Sequence, residues 1–204
     1  MARLVELPRI EPYEAAYFTV DQAKQFLDAA QESHHNLLYR VALSLGLRQK
    51  ELIKLTWDDI DLENKTLKVS KSKTPSGVRK LALPTVLVDM LKEHRQQIRL
   101  KQLAAGACWK NNNLVFPGKN GTFIQASCLR ASFKRVLRRP GLPDIRFHDL
   151  RHSCASFLLA QGVQPKVVSE ILGHSNISIT MNTYAHVMED TQREAIEKVV
   201  EMFA

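Results

Sequence analysis

One interruption constrains this chain more than anything else in it. Amid long stretches of helical spacing, KTLKVS (65–70) and VRKLALP (78–84) alternate with the period of two that suits β-strands. KSKTPSG between them supplies Pro75 and Gly77 for a turn. Strands joined by so short a connection pair with each other antiparallel. The sheet is therefore small and the rest of the core must be helix on helix. The expected fold class is mainly α with a small antiparallel β-sheet (α+β).

The helical segments carry their own punctuation. Thr19 and Gln22 form a capping box ahead of an apolar stripe of Ala23, Phe26, Leu27 and Ala30. NLLYRVALSL follows and stops at Gly46, a residue suited to a helix C-terminus. RQKELIKLT starts almost at once and is expected to run to near Trp57. TVLVDMLKEHRQQIRLKQL is a long helix, NNNLVFPGKNGTF a loop with a short strand at LVF, and QASCLRASFKRVLRR a basic helix. HDLRHSCASFLLAQG, QPKVVSEILG and ISITMNTYAHV complete the helical set. TQREAIEKVVEMFA reads as an amphipathic tail helix, with Ala195, Ile196, Val199, Val200 and Phe203 on one broad face. No internal repeat or low-complexity linker appears. The expected organisation is an extended, proline-rich lead-in at 1–18, one packed domain at 19–187 and a tail helix at 188–204.

Composition narrows the partners. The 204 residues carry a formal net charge of +8, which suggests a polyanion, most commonly nucleic acid, or simply a basic surface kept for solubility. Cys108, Cys128 and Cys154 are widely spaced and contain no CxxC pair, so neither a disulfide framework nor a zinc ribbon is supported. No apolar run is long enough to span a bilayer, and MARLVELPRIEP lacks the apolar core of a signal peptide. The expectation is a cytoplasmic protein with no membrane partner, in which NKT, NGT and NIS are not glycosylated.

Several fragments carry residues able to do chemistry. His148 and Arg151, in RFHDLRHSCASF, share a face of a predicted helix. His148 and His152 have the i,i+4 spacing of a metal pair, but no HExxH glutamate or cysteine pair accompanies them, and zinc is not expected. Arg48 stands where one helix ends and the next begins, with Glu51 one turn on. It is either an anion-binding guanidinium or half of an ordinary surface pair. Lys73 sits at the hairpin tip, His174 directly follows Gly173, and Tyr184 lies in TMNTYAHV. Each has an ordinary reading: a charged turn, a helix cap, a half-buried ring with its hydroxyl at the rim. Together they make a set without metal-binding carboxylates that suits phosphoryl transfer, with fixed guanidiniums taking the charge-neutralising role that metal enzymes give to Mg²⁺.

GLRQKE, KSKT, HDLRH, LGH and TMNTYAHV, in that order, resemble the catalytic domain of the tyrosine recombinases, the phage-integrase family. The resemblance runs from about Phe18 to Val187 and implies the tyrosine recombinase catalytic-domain fold. It implies that Arg48 and Arg151 clamp the scissile phosphate of double-stranded DNA and that Tyr184 attacks it, leaving a 3′-phosphotyrosine and a free 5′-hydroxyl. Lys73 then resembles the general acid for the 5′ oxygen, with Lys71 a less suitable competitor. His148 resembles the base or proton relay for Tyr184, His174 the second histidine on the phosphate, and Glu51 the carboxylate that steadies the site. No metal and no cofactor, ATP included, is implied, and no GxxxxGK[ST] loop is present.

The basic helix at 126–139 offers Arg130, Lys134, Arg135, Arg138 and Arg139 as the expected DNA-binding residues, or else is a solvated basic face. Relatives imply a tetramer on DNA, formed from a monomer or weak oligomer, with the tail helix docked on a neighbour; folding back in cis is equally open. Integrases usually carry an N-terminal helical domain ahead of this one, and the MARLVELPRI start suggests a truncated chain rather than a naturally minimal member. The sequence alternatives to a bacterial or phage-encoded recombinase are a type IB topoisomerase and a non-catalytic DNA-binding regulator.

Overall fold

The computed structural model describes residues 16–70, 77–185, 196–197 and 199–203. Among these residues eight α-helices precede the tail: α1 (Val20–Ala29), α2 (Asn36–Leu45), α3 (Gln49–Ile53), α4 (Thr85–Ala105), α5 (Ala126–Arg138), α6 (Asp149–Ala160), α7 (Pro165–Leu172) and α8 (Ile177–Thr183). Three short strands, β1 (Ile60–Asp61), β2 (Thr66–Val69) and β3 (Arg79–Ala82), form one antiparallel sheet in that order. Leu67 faces Leu81 across β2 and β3. Leu67, Val69 and Leu81 are buried while Lys68 and Lys80 are exposed, which is the alternation read from the sequence. β1 was not expected; it adds only two residues, too short for any periodicity to register.

Local signals set most helix ends. Thr19 and Gln22 form the reciprocal capping box that starts α1. Gly46 ends α2 in the left-handed region at φ 59°, its N–H bonded to the Ala42 carbonyl. α3 ends at Ile53 rather than near Trp57. The chain is pulled out of helix there by tertiary pairing: the Val115 N–H donates to the Leu55 carbonyl, and Thr56 bridges to Leu114. That same pairing is what the expected strand at LVF amounts to.

An aromatic cluster fixes the helices to one another. Phe26 of α1 lies 5.3 Å, centroid to centroid, from both Tyr39 of α2 and Phe133 of α5, and Phe133 lies 5.5 Å from Phe147. Phe18 is also fully buried, and its N–H donates to Ser153 Oγ on α6. The packed unit therefore includes the last residue expected in the lead-in. The rest of that lead-in up to residue 15 lies outside the described residues. A second, smaller cluster of Ala155, Leu159, Val168, Leu172 and Tyr184 joins α6, α7 and the end of α8. In the tail, Ile196, Val199, Val200 and Phe203 are exposed, so the apolar face expected there has no cover among the described residues. None of the described helices is long and apolar enough to cross a membrane.

Candidate active site

The site is built where the ends of α2, α6 and α7 meet α3 and β3. Gly46 makes this possible in two ways. Its positive φ turns the chain out of α2, and a Cβ there would come within 2.5 Å of Leu172 Cδ2 and 3.4 Å of Cys154 Sγ. α2 can thus lie directly on α6 and α7, and its terminal carbonyl is left pointing at Arg151. Arg151 Nη1 donates to Gly46 O at 2.8 Å.

Arg48 caps α3. Its Nη1 is 2.9 Å from Glu51 Oε1, and its Nη2 donates to the Gly173 carbonyl at 3.1 Å. The Arg48 N–H also donates to Glu51, at 2.9 Å. The Arg48–Glu51 pair is not a surface pair, because the Glu51 side chain is only 5% exposed. Burial by itself would raise the Glu51 carboxyl; hydrogen bonds from Arg79 and Arg48 reverse that and hold it below the ordinary carboxylate range. Arg79 was not singled out in the sequence. It opens β3, where nothing in composition or spacing separates it from Lys80.

Arg151 is the most telling group. It is 3% exposed. Desolvation, with Arg48 and Arg79 adding positive charge, lowers it to about 9. Its Nη2 is buried with no hydrogen-bond partner among the described residues. A buried cationic donor left open costs free energy unless something anionic arrives to take it.

Tyr184 is fully buried. It closes α8, and its ring fills the smaller cluster. Its hydroxyl lies 2.7 Å from His152 Nδ1. The contact is with His152, not with His148, whose ring stands edge-to-face at 5.2 Å from that of His152. The i,i+4 spacing of the two histidines was the available signal, and it marks an edge-to-face pair at the start of α6, with His148 at its N-cap. Desolvation raises the Tyr184 phenol above its ordinary value, and the Arg151 charge acts against that rise. Desolvation, then neighbouring cations, lower His148 and His174 to about 4 each, and His152 is lowered as well. All three imidazoles are thus neutral at pH 7. His174 Nδ1 lies 2.8 Å from Thr180 Oγ1 of α8, and its charge is coupled to Arg151 and Arg48. Lys73 and Lys71 lie outside the described residues.

The basic helix divides. Lys134 pairs with Asp144 at 2.6 Å, and Arg139 reaches Glu32 at 3.8 Å and the Ala29 carbonyl at 3.4 Å. Arg130, Arg135 and Arg138 are exposed. The start of this helix adjoins Arg48's own element, since Gln49 Nε2 donates to the Ala126 carbonyl at 3.1 Å.

Known proteins share this arrangement of sequence and fold. The model of the phage integrase family matches residues 16–191. A tyrosine recombinase XerC-like protein of Caldanaerobacter subterraneus subsp. tengcongensis is 36% identical over 91% of this chain and 54% of its own. Among solved structures, the Tn1549 transposon integrase in complex with transposon right end DNA superposes with a TM-score of 0.74, at 27% identity, covering 94% of this chain and 68% of that one. The XerA recombinase shares the fold with a TM-score of 0.75 at 23% identity, over 92% and 66% of the two chains. The chain spans about half the length of the curated relatives it matches. With a family model covering most of its residues and a relative this similar, the chain belongs to the phage integrase family of tyrosine recombinases.

Proposed function

We propose that this domain cleaves and rejoins double-stranded DNA at specific sites through a 3′-phosphotyrosine intermediate. The observation that carries the reading is the buried Arg151 Nη2, left without a partner among the described residues, beside Arg48 and within the field felt by the Tyr184 phenol. In this reading Arg151 and Arg48 hold the two non-bridging oxygens of the scissile phosphate, each as a fixed, permanently charged fork. His174 adds a neutral N–H donor at the same phosphate.

The Tyr184 oxygen forms a bond to phosphorus as the bond from phosphorus to the 5′ oxygen breaks. The phenol proton leaves first to His152 Nδ1, the group in contact with it, with His148 the next ring along that path. A lowered histidine pKa keeps both rings neutral and able to accept. Lys73 gives the proton that the departing 5′ oxygen takes up. The phosphoester so formed conserves the bond, so a 5′-hydroxyl from another strand reverses the step without ATP. Arg130, Arg135 and Arg138 face the duplex; Lys134 and Arg139, proposed with them, are already paired within the fold and add less. Assembly is read as a tetramer on DNA in the cytoplasm of a bacterium, with the tail helix exchanged between protomers.

The test uses a pool of nicked duplexes with a randomised core, so that strand cleavage releases a short fragment and traps the protein. Adducts that survive denaturation are recovered and sequenced. Convergence on one sequence, with no adduct from Tyr184→Phe, is the expected result. Cleavage without sequence preference points to a topoisomerase, and no adduct at all to a DNA-binding regulator.

A further inference from the structure

Three guanidiniums, not two, meet at this site, and two of them share the carboxylate of Glu51. The Arg79 side chain is 6% exposed, about as deep as Glu51 itself. Its hydrogen bonds are spent on protein: Nε to the Ile171 carbonyl at 2.6 Å, Nη1 to the Gly77 carbonyl at 3.0 Å and to Glu51 Oε1 at 3.4 Å, and Nη2 to Glu51 Oε2 at 3.1 Å. Arg151 is the opposite case, with one buried nitrogen left open. Arg79 therefore has little left to give a ligand, whereas Arg151 is available for one.

We infer that Arg79 is a positioning residue for the phosphate site. It acts through Glu51 on Arg48 and through Ile171 on the loop that carries His174, and this rests on the function proposed above. Without Arg79, Glu51 would be a buried carboxylate held by Arg48 alone, its Oε2 would keep only the Arg48 backbone N–H, and the Arg48 guanidinium would be drawn inward towards it. With Arg79 gripping Oε2, Arg48 spends one nitrogen on Oε1 and one on Gly173 O, and its side chain stays 35% exposed. The two arginines also secure the end of α7 from both sides, at the Ile171 and Gly173 carbonyls, where a helix's negative end favours cations. His174 follows directly. A third positive charge in a low-dielectric setting further raises the site's demand for an anion.

The test compares Arg79→Met, Arg79→Lys and wild type on the duplex recovered by adduct trapping, in single-turnover cleavage. Each is assayed with a normal scissile phosphate and with a neutral methylphosphonate at that position. On the phosphodiester, Arg79→Met is expected to lose ~10²-fold in cleavage rate, the scale of a small misplacement of a charge-stabilising group, with DNA affinity changed less than about threefold. Arg79→Lys, which keeps the charge and loses the fork, should recover about tenfold of that. On the methylphosphonate, which has no charge to clamp, the Met variant should fall short of wild type by under about threefold.

Equal losses on the two substrates mean that Arg79 only supports the fold, and this inference fails while the proposed function stands. No loss on either substrate has the same consequence. A wild-type protein that forms no adduct, or a Tyr184→Phe protein that forms one, removes the proposed function and this inference together. If Arg79→Met does not fold, Arg79→Lys and Glu51→Gln carry the same two-substrate comparison.

Discussion

The two halves of the site are held by different means. The guanidinium half is wired by polar contacts: Arg48 and Arg79 are tied by hydrogen bonds to Glu51 and to the carbonyls of Gly173 and Ile171, and Arg151 to the carbonyl of Gly46. The tyrosine half rests on a satellite cluster of five buried residues, plus one hydroxyl contact to His152 and one between His174 and Thr180. Electrostatic stabilisation works best when its dipoles and charges are fixed before the reaction. The Tyr184 phenol, the proposed nucleophile, is 1% exposed and in that role has to be brought to its target. Rigidity in the clamp and a shallow attachment for the phenol suit those two needs, and local opening is expected to begin where buried apolar contacts are fewest.

The largest effect should come from the clamp. Arg151→Ala is expected to slow cleavage by ~10²–10³-fold, the usual loss on deleting one strong donor to developing charge. Single-turnover adduct formation measures it, and near-normal cleavage would mean that the open Arg151 nitrogen is not waiting for the scissile phosphate. Next is the joint between the two halves. Gly46→Ala places an L side chain in the left-handed region and against Leu172 Cδ2, at a cost of roughly 1–3 kcal/mol in unfolding free energy. Because Leu172 belongs to the satellite cluster and Gly46 O holds Arg151, this one methyl should disturb both halves. Cleavage should drop by more than the stability change alone predicts.

A third comparison separates the halves in stability. Phe133→Ala in the main core should lower the global unfolding free energy by about 3–5 kcal/mol, and Leu172→Ala by about 2–3. Hydrogen exchange discriminates further. Amides of α8 should exchange through openings well below the global free energy, and those of α2 only through global unfolding. Equal protection in the two helices would erase the distinction between clamp and satellite.

Much of this was legible in the sequence because it rests on local rules. Gly46 as a left-handed cap, the Thr19–Gln22 box, the pairing of β2 with β3 and most of the helix starts follow from periodicity and capping. The family resemblance supplied Arg48, Arg151 and Tyr184 as a set that composition alone would not have joined. What stayed hidden depends on pairing at long range. Arg79 gains its meaning from Glu51, 28 positions away, and His152 from Tyr184, 32 positions away. α3 was read too long because the bridge from Thr56 to Leu114 lies 58 residues downstream in the chain (114 − 56 = 58). The division of the basic helix into paired and free cations rests likewise on Asp144 and Glu32, residues that no helical wheel of 126–139 contains.

The smallest expected effect tests the contact that spans both halves. His174 follows Gly173, which Arg48 holds, and it touches Thr180 of α8. Desolvation and the nearby guanidiniums keep its folded pKa at about 4, against an ordinary 6.5. The native state therefore refuses a proton that the unfolded chain accepts between those values. The unfolded state binds more protons there, so stability rises with pH and is lost as pH falls from 6.5 towards 4; above 6.5 this group contributes no slope. Because the ring is only partly buried, solvent screening reduces the effect to about 1 kcal/mol between pH 7 and pH 5. Urea unfolding of wild type and His174→Asn at both pH values measures it. His148, lowered in the same direction, supplies a similar slope that persists in the variant, so the difference between the two proteins isolates His174. An unchanged difference between pH 7 and pH 5 would show that His174 is not held neutral by the arginines. The chemical link from the clamp to the tyrosine helix would then be reduced to packing alone.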